Sequence, residues 1–413
     1  MKSFVLFLAL ASSMRLIDIV SSLPTEPMIM PRCDTQYNTS LPAANAYLPS
    51  PFKFLAGVSP APGFGEWSSN LWDCRRQEIG DMFQEYELGW LPSPPDHLSA
   101  SLQNNNLTIT CSVNSTEITF VVPITYPSGA SSGPPYPAML VLEYPTLPIP
   151  EGVAVMNLNT TEIGWQTDAT SRGKGKFYDL YGSDASAGAM IAWTWAISRV
   201  FDALEQLQQN NTDTRIDIAH VGTTGCSRWG KGALVAGAFE DRLALVIPQE
   251  SGSGGTACWR LSDAEYLAGN LDQTLAEIVD ENVWFSNELN QFVNNTNSLP
   301  FDHHMLMGMV APRGLLAIDN FGVEWLSPNS QYGCEVAGRL VYQALGVADH
   351  MGYSQAAGHT HCAFPDSQTP VVNAFIDRFL RGNNDTDTNV TDTASGTFNH
   401  SQWINWDVPT IPR

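Results

Sequence analysis

Short apolar segments alternate with helical patterns through the middle of this 413-residue chain. Runs that favour β-strands occupy 118–127, 138–144 and 152–158, and a stretch with apolar residues at helical spacing covers 187–207. The alternation continues with strand-like segments at 215–222, 243–249 and 313–320 and helical segments at 227–240, 337–347 and 371–380. Buried strands separated by helices build a mostly parallel sheet that helices cover on both faces. The pattern predicts an α/β fold: a three-layer αβα sandwich around a twisted, mostly parallel, mixed sheet.

The N-terminus has the layout of a secretory signal peptide over residues 1–22. Lys2 is followed by the apolar run FVLFLALA and then by small residues up to Ser22. That run is too short to span a bilayer, and no other stretch approaches ~18 consecutive apolar residues. The mature chain is therefore expected to be soluble and to have no membrane partner.

One large domain is expected after the signal peptide, because a single α/β domain commonly exceeds ~250 residues. We place the catalytic domain at 23–381. The tail at 382–413 turns to Asn, Asp and Thr and is expected to be poorly ordered. It contains Trp403 and Trp406, and the sequence leaves open whether they pack on the domain.

Two further features support an extracellular location. Seven cysteines, an odd number, predict three disulfides and one unpaired thiol in an oxidising compartment, and their spacings match no zinc signature. A dense set of N-x-S/T sequons suggests a glycosylated surface. These candidate glycosylation sites are Asn38, Asn106, Asn114, Asn159, Asn210, Asn294, Asn384, Asn389 and Asn399.

The charge balance excludes several classes of partner. The chain has 20 Lys and Arg against 42 Asp and Glu, a formal net charge of −22. Such a surface repels nucleic acid phosphates and anionic lipids. His303 and His304, after Asp302, resemble a metal cluster, but adjacent side chains point to different sides, so structural roles are favoured. No metal or other cofactor is expected, and the protein is expected to be a monomer.

The segment GTTGCSRWGKG places Ser227 between a buried strand and a helix. A nucleophile elbow has this strand–turn–helix arrangement, typical of the α/β-hydrolase fold, and needs small residues before its serine. Gly225 and Cys226 meet that need, although the glycine of the usual G-x-S-x-G pattern is displaced to Gly230. At a helix N-terminus, backbone N–H groups can stabilise an oxyanion. Ser227 is the predicted nucleophile.

A serine nucleophile needs a histidine base, which in this fold follows the last strand. His350, His359 and His361 meet that condition. His361 is adjacent to Cys362, just as Ser227 is adjacent to Cys226. If the two cysteines are bonded, their Cα atoms lie ~5.5 Å apart, which would bring His361 to Ser227.

Two acids are candidates for orienting the histidine. Glu250 ends one predicted strand and precedes a flexible SGSGG loop, whereas Asp319 ends the next strand, the more usual position of the acid in this fold. Periodicity does not choose between them.

Taken together, these segments resemble the fungal glucuronoyl esterases, carbohydrate esterase family 15. The resemblance runs from about Cys33 to Leu380, and its most specific element is G-C-S-R-x-G-K, in which the displaced Gly230 belongs to the family pattern. Further matching segments are LPSPFKF, WDCRRQEIG, GKGKFYDLYG, AWTWAISRVFDALE, PQESGSGG, PFDHHMLMGMVAPRGLLAIDN and GHTHCAFP.

The resemblance implies roles for particular residues. It favours Glu250 over Asp319 as the acid, matches His361 to the base, and matches Arg228 to an arginine that stabilises the oxyanion. The residues implied to bind the uronate sugar are Lys231, Gln273, Glu281 and Trp325. The implied disulfides are Cys226–Cys362, Cys258–Cys334 and Cys33–Cys74, with Cys111 left unpaired.

The implied activity is that of a secreted serine esterase. It would hydrolyse, through an acyl-enzyme, the ester between 4-O-methyl-D-glucuronic acid of glucuronoxylan and lignin alcohols. Two alternatives remain open: an acetylxylan or feruloyl esterase on a similar fold, and an inactive cell-wall-binding protein. The intact triad positions count against the second alternative.

Overall fold

A computed structural model describes residues 33, 41, 43–55, 67–129, 135–394 and 396–412. Contacts divide the chain into a short unit, Met1–Asp34, and a large unit, Thr35–Arg413, which contains all the helices and strands of the described residues. The predicted signal peptide and the sequon at Asn38 lie outside the described residues. In the part that is described, no helix is both long enough and apolar enough to cross a membrane.

The described residues form a ten-stranded sheet. Its strands are β1 (His97–Gln103), β2 (Asn106–Val113), β3 (Thr116–Thr125), β4 (Tyr136–Leu142), β5 (Ala154–Leu158), β6 (Ile216–Cys226), β7 (Leu243–Gln249), β8 (Gly314–Asn320), β9 (Met351–Ala356) and β10 (Thr391–Asp392). Their spatial order is β1-β2-β3-β5-β4-β6-β7-β8-β9-β10. Three pairs, β1–β2, β2–β3 and β3–β5, are antiparallel. All the other neighbouring pairs, from β5–β4 to β9–β10, are parallel. The expected mostly parallel, mixed sheet is confirmed.

Eleven α-helices occur among the described residues. They are α1 (Ser69–Phe83), α2 (Thr160–Ile163), α3 (Lys176–Tyr181), α4 (Ala189–Gln209), α5 (Arg228–Phe239), α6 (Trp259–Leu267), α7 (Leu275–Glu281), α8 (His303–Val310), α9 (Pro328–Ala344), α10 (Thr369–Phe379) and α11 (His400–Trp403). A π-helical turn, Gln84–Leu88, follows α1 directly, and short 3-10 turns lie in the loops.

Two apolar cores lie on the two faces of the sheet. Leu140 of β4 belongs to the larger core and its neighbour Val141 to the smaller one. Successive side chains of a strand point to opposite faces, so the two cores must lie on opposite sides. Trp193 of α4 packs in the larger core, and Phe375 of α10 packs in the smaller one. The three-layer arrangement is thus confirmed.

Two of the differences from the sequence expectations lie after residue 320. The strand predicted at 313–320 is not the last one, because β9 follows it. Gly352 and Ser354 make β9 less apolar than the neighbouring strands, so its pattern was not recognised as a strand. A larger residue than Gly352 would not fit, because a Cβ there would lie 2.7 Å from the Phe375 ring of α10. The helix predicted from residue 337 begins earlier, at Pro328, whose fixed φ suits the first helical position.

The tail that was expected to be poorly ordered instead packs against the domain, so that prediction is wrong for its described residues, 382–394 and 396–412. β10 pairs in parallel with β9, and Ile404 and Ile411 are buried in the larger core. Trp406 Nε1 donates a hydrogen bond to the Leu48 carbonyl at 2.9 Å. Each apolar residue of the tail packs against the domain separately. Because these residues follow no helical or strand period, the sequence pattern did not predict their packing.

Candidate active site

Ser227 lies in a strained turn between β6 and α5. Its φ is 61° and its ψ is −126°, a conformation that non-glycine residues rarely adopt. Two glycines permit the turn. A Cβ on Gly225 would lie 2.7 Å from the Trp229 backbone, and a Cβ on Gly230 would lie 2.6 Å from the Gln249 carbonyl oxygen of β7. The displaced glycine at 230 therefore has a steric cause: α5 begins in close contact with the end of β7.

The loop after β9 carries His361 and is covalently joined to the turn. The Cys226–Cys362 disulfide has a Cα–Cα distance of 5.8 Å, close to the distance expected from the sequence. Cys362 has a φ of 63°, again in the left-handed region. His361 Nε2 is buried and makes no hydrogen bond with a protein group, whereas Nδ1 has a partner. Nδ1 is thus fixed by a hydrogen bond, and Nε2 is available for proton transfer.

That partner is Glu250, the residue directly after β7. Its Oε2 accepts hydrogen bonds from His361 Nδ1 at 2.8 Å and from the Cys362 backbone N–H at 2.9 Å. Glu250 is fully buried, and its φ of 46° turns the chain sharply at the end of the strand. The carboxylate therefore holds both the histidine ring and the loop that carries it.

Asp319, the other candidate acid, has different partners. Thr256 Oγ1 donates to it at 3.2 Å, and the Gln331 amide of α9 donates to it as well. It is fully buried near Glu335, and burial raises the pKa of both carboxyl groups. Glu250, and not Asp319, is the carboxylate that contacts His361.

The other two candidate histidines occupy different positions. His350 precedes β9, and its Nδ1 donates to the Pro312 carbonyl at 2.6 Å. His359 lies nearer, with Nδ1 3.8 Å from Glu250 Oε1, and receives a hydrogen bond from the Asn320 amide at 3.2 Å. His361 makes the shorter contact with the acid.

Arg228 begins α5, next to Ser227. Its Nη1 donates to Gln166 Oε1 at 3.2 Å, its Nη2 lies 3.6 Å from Glu281 Oε1, and its guanidinium carbon lies 4.8 Å from the Trp284 ring centroid. Gln166 also accepts a hydrogen bond from Trp284 Nε1 at 3.0 Å. Sequence reasoning missed Gln166 and Trp284, because neither belongs to a recognisable local motif.

The residues predicted to bind the sugar form a connected group. The Trp325 ring lies 4.8 Å from the His361 ring at 74°, and its carbonyl accepts from the Gln273 backbone N–H at 3.3 Å. Gln273 Nε2 donates to Glu281 Oε2 at 3.1 Å, and Glu281 in turn lies beside Arg228. The structure therefore joins Gln273, Glu281 and Trp325 to His361 on one side and to Arg228 on the other.

Lys231, on the first turn of α5, is buried, with 4% of its surface exposed. Its ammonium group donates to the carbonyl oxygens of Ser251 and Ser253. Burial lowers the pKa of Lys231 to about 7. A proton on this amine is therefore gained or lost near neutral pH.

His303 and His304 contact protein groups and are fully buried. His303 lies 2.8 Å from Glu87 Oε1, and His304 Nε2 donates to the Pro49 carbonyl at 2.8 Å. Among the described residues, the one group with metal-like spacing is Cys226, His361 and Cys362, and its two sulfurs are bonded to each other. Because both sulfurs are in the disulfide, Cys226, His361 and Cys362 do not fit a metal ion.

Two other cysteine assignments can be read from the structure. It contains the Cys258–Cys334 disulfide, and Cys111 is a buried free thiol whose pKa burial raises to about 12. Cys74 is also disulfide-bonded, and its pairing with Cys33 stays a prediction.

A family model described as glucuronyl esterase of fungi matches residues 109–346. The curated 4-O-methyl-glucuronoyl methylesterase 1 of Phanerochaete chrysosporium is 48% identical over 376 residues, covering 89% of this chain and 77% of that protein. This chain belongs to the fungal glucuronyl esterase family. The resemblance inferred from the sequence is thereby confirmed, and with it the expectation of a carboxylic ester hydrolase.

Solved structures of this family share the fold. The glucuronoyl esterase catalytic domain from Hypocrea jecorina matches with a TM-score of 0.85 and 47% identity, covering 91% of this chain and 99% of that one. A serine-to-alanine mutant of the glucuronoyl esterase from Sporotrichum thermophile, in complex with methyl 4-O-methyl-β-D-glucopyranuronate, matches with a TM-score of 0.83 and 42% identity, covering 89% and 95%. The α/β-hydrolase prediction is confirmed.

Proposed function

We propose that this protein is a secreted serine esterase that hydrolyses esters of 4-O-methyl-D-glucuronic acid, the link between glucuronoxylan side chains and lignin alcohols. The observation that carries the proposal is the clamp around Ser227: Cys226 is bonded to Cys362, and Glu250 holds His361 by its Nδ1. The curated relatives, named for 4-O-methyl-glucuronoyl esters, support the choice of substrate.

In the proposed reaction, Ser227 Oγ attacks the uronate carbonyl carbon while His361 Nε2 takes the hydroxyl proton. Glu250 holds the ring in the required tautomer and stabilises the imidazolium that forms. His361 then returns the proton to the departing alcohol, leaving an acyl-enzyme on Ser227. A water molecule, deprotonated by His361, attacks the acyl carbon; the bond to Ser227 Oγ then breaks, His361 returns the proton to that oxygen, and the uronic acid is released.

Negative charge on the carbonyl oxygen would be stabilised from two directions. The first backbone N–H groups of α5 have no preceding helical turn to bond with and can donate to an anion. The Arg228 guanidinium, at the same helix end, adds a full positive charge. Gln166 and Trp284 position that guanidinium by contacts on two sides.

Secretion is supported by the distribution of sequons. Eight of the nine lie among the described residues, and all eight asparagines are exposed, as an acceptor for an N-linked glycan must be. Two disulfides and the apolar N-terminal run agree with an oxidising compartment. The sequons are Asn106, Asn114, Asn159, Asn210, Asn294, Asn384, Asn389 and Asn399.

Substrate comparison tests the proposal. The purified protein is expected to hydrolyse methyl and benzyl esters of 4-O-methyl-D-glucuronic acid with kcat/KM at least ~100-fold above its values for acetylated xylan and methyl ferulate, since its binding groups match a uronate ring. Release of acid, followed by titration, gives all four rates on one scale. Faster release of acetate or ferulate would assign the protein to another esterase class, and binding to xylan without any turnover would make it a wall-binding protein.

Sugar binding is expected to depend on the protonation of Lys231. A neutral amine has two N–H groups, and the Ser251 and Ser253 carbonyls occupy both; only the ammonium form has a third to donate to a sugar hydroxyl. Because the pKa of Lys231 is about 7, raising the pH through this value should weaken binding. The loss of one such bond corresponds to about five- to tenfold in Kd.

Calorimetry with the Ser227→Ala variant and the methyl ester, at roughly pH 6 and pH 8 on either side of the Lys231 pKa, measures this change without hydrolysis. The matched control adds Lys231→Met, which should bind weakly and equally at both values. An equal pH response in both proteins would show that another group is titrating.

A further inference from the structure

An exposed tyrosine stands beside the nucleophile turn. Tyr144 follows β4, is 46% exposed, and packs against Trp229, with ring centroids 5.0 Å apart at 70°. Trp229 is the second residue after Ser227 along the chain. The same loop reaches the acid: Thr146 Oγ1 donates to Gln249 Oε1 at 2.6 Å, and Gln249 precedes Glu250. Tyr144 therefore belongs to a loop that lies over the ends of β6 and β7.

The backbone that presents Tyr144 is strained and firmly held. Glu143 has a φ of 67°, which only glycine adopts at little cost. Its carboxylate accepts hydrogen bonds from the backbone N–H and hydroxyl groups of both Thr160 and Thr161, at 2.8–3.3 Å. Thr160 Oγ1 in turn accepts from Trp229 Nε1 at 2.9 Å. Strain maintained by such a network is typical of ligand-binding segments.

The order of strands places Tyr144 and Trp325 on opposite sides of Ser227. The neighbouring strands run β4-β6-β7-β8 and are all parallel, so their carboxyl ends meet at one edge. Tyr144 follows β4, Ser227 follows β6, and Trp325 follows β8. The acyl and alcohol parts of an ester extend in opposite directions from the carbonyl carbon. A uronate ring bound at Trp325 therefore directs the alcohol towards β4.

We propose that Tyr144, held against Trp229, binds the aromatic ring of the alcohol that leaves from the ester; this inference rests on the proposed function above. The ligand class is an aryl-methyl alcohol, because an exposed aromatic face backed by a second ring at a steep angle suits another aromatic ring. Tyr144 then determines which alcohol the enzyme prefers and takes no part in the chemical step.

The test compares two substrates that share the acyl group. The ratio of kcat/KM for benzyl 4-O-methyl-glucuronate to that for the methyl ester is measured in the unmodified protein and in Tyr144→Ala. The substitution is expected to lower the ratio about three- to tenfold, the size of a typical aromatic contact, while the methyl ester is hydrolysed at nearly the original rate. Tyr144→Phe, which keeps the ring, is expected to retain the original ratio.

Tyr266→Ala is the matched control, since Tyr266 on α6 is 49% exposed and should leave the ratio unchanged. A ratio in Tyr144→Ala equal to that of the unmodified protein overturns the inference, although the proposed function survives because both esters are still cleaved. An equal fall in both rates also overturns it, since that result places the sugar on Tyr144. If the unmodified protein cleaves neither ester, the proposed function itself has failed.

Discussion

Replacing Ser227 by alanine is expected to lower kcat for methyl 4-O-methyl-glucuronate by about 10⁴- to 10⁶-fold, the range typical of serine triads. No other group is expected to form the acyl-enzyme, so hydrolysis would fall to what Arg228 and the helix N-terminus achieve with water. Release of acid by the purified variant measures the loss, with stopped samples collected over long incubations to quantify the residual rate.

The same variant is expected to fold normally. The Ser227 side chain makes no capping hydrogen bond to α5, so removing the hydroxyl leaves no buried partner unsatisfied. The melting temperature should change by no more than about 2 °C, and the variant should still bind the methyl ester. Turnover above ~1% of the original kcat in a protein free of contaminating esterase would exclude Ser227 as the nucleophile.

Glu250→Gln is expected to lower kcat about 10³- to 10⁴-fold with little change in KM. Glu250 accepts from His361 Nδ1, which fixes Nε2 as the nitrogen that takes the serine proton. A glutamine can present its amide nitrogen to Nδ1 and so favour the opposite tautomer, in which Nε2 is already protonated. It also removes the negative charge that stabilises the imidazolium. Steady-state kinetics on the methyl ester measures the effect.

Asp319→Asn is the matched control for this second prediction. Asp319 contacts Thr256 and Gln331, not His361, and the side-chain oxygen of an asparagine can still accept a hydrogen bond at this position. The amide variant is expected to keep kcat within about tenfold of the original value. If Asp319→Asn were the more damaging substitution, the acid would be the one at the end of β8, and Glu250 would be a structural residue.

Local patterns in the sequence were sufficient for the architecture and for the turn that carries Ser227, which stays the predicted nucleophile. Alternating strands and helices are local features of periodicity, so they predicted a mostly parallel sheet covered on both faces. The small residues before Ser227 likewise indicated a sharp turn between a strand and a helix. The glycine at 230 looked like a departure from the usual elbow, and the close contact between α5 and β7 explains why it is needed there.

The choice of partner for His361 could not be made from local patterns. Glu250 and Asp319 end neighbouring parallel strands, so both carboxylates emerge at the same edge of the sheet. Which of the two carboxylates contacts His361 depends on the left-handed turn at Glu250 and on Gln331 of α9, which donates a hydrogen bond to Asp319. The family resemblance favoured Glu250, and the contact with His361 agrees with that choice.

Strand and helix periods and the steric limits of a turn lie in consecutive residues, so the sequence predicted the α/β architecture, strands β3 to β8 and the turn that carries Ser227. Three features emerge only from the folded chain: the contact between Glu250 and His361, the contacts of Gln166 and Trp284 with Arg228, and the packing of the tail at Ile404 and Ile411. Those contacts join segments far apart along the chain, and their geometry depends on loop conformations and a disulfide that no local pattern specifies.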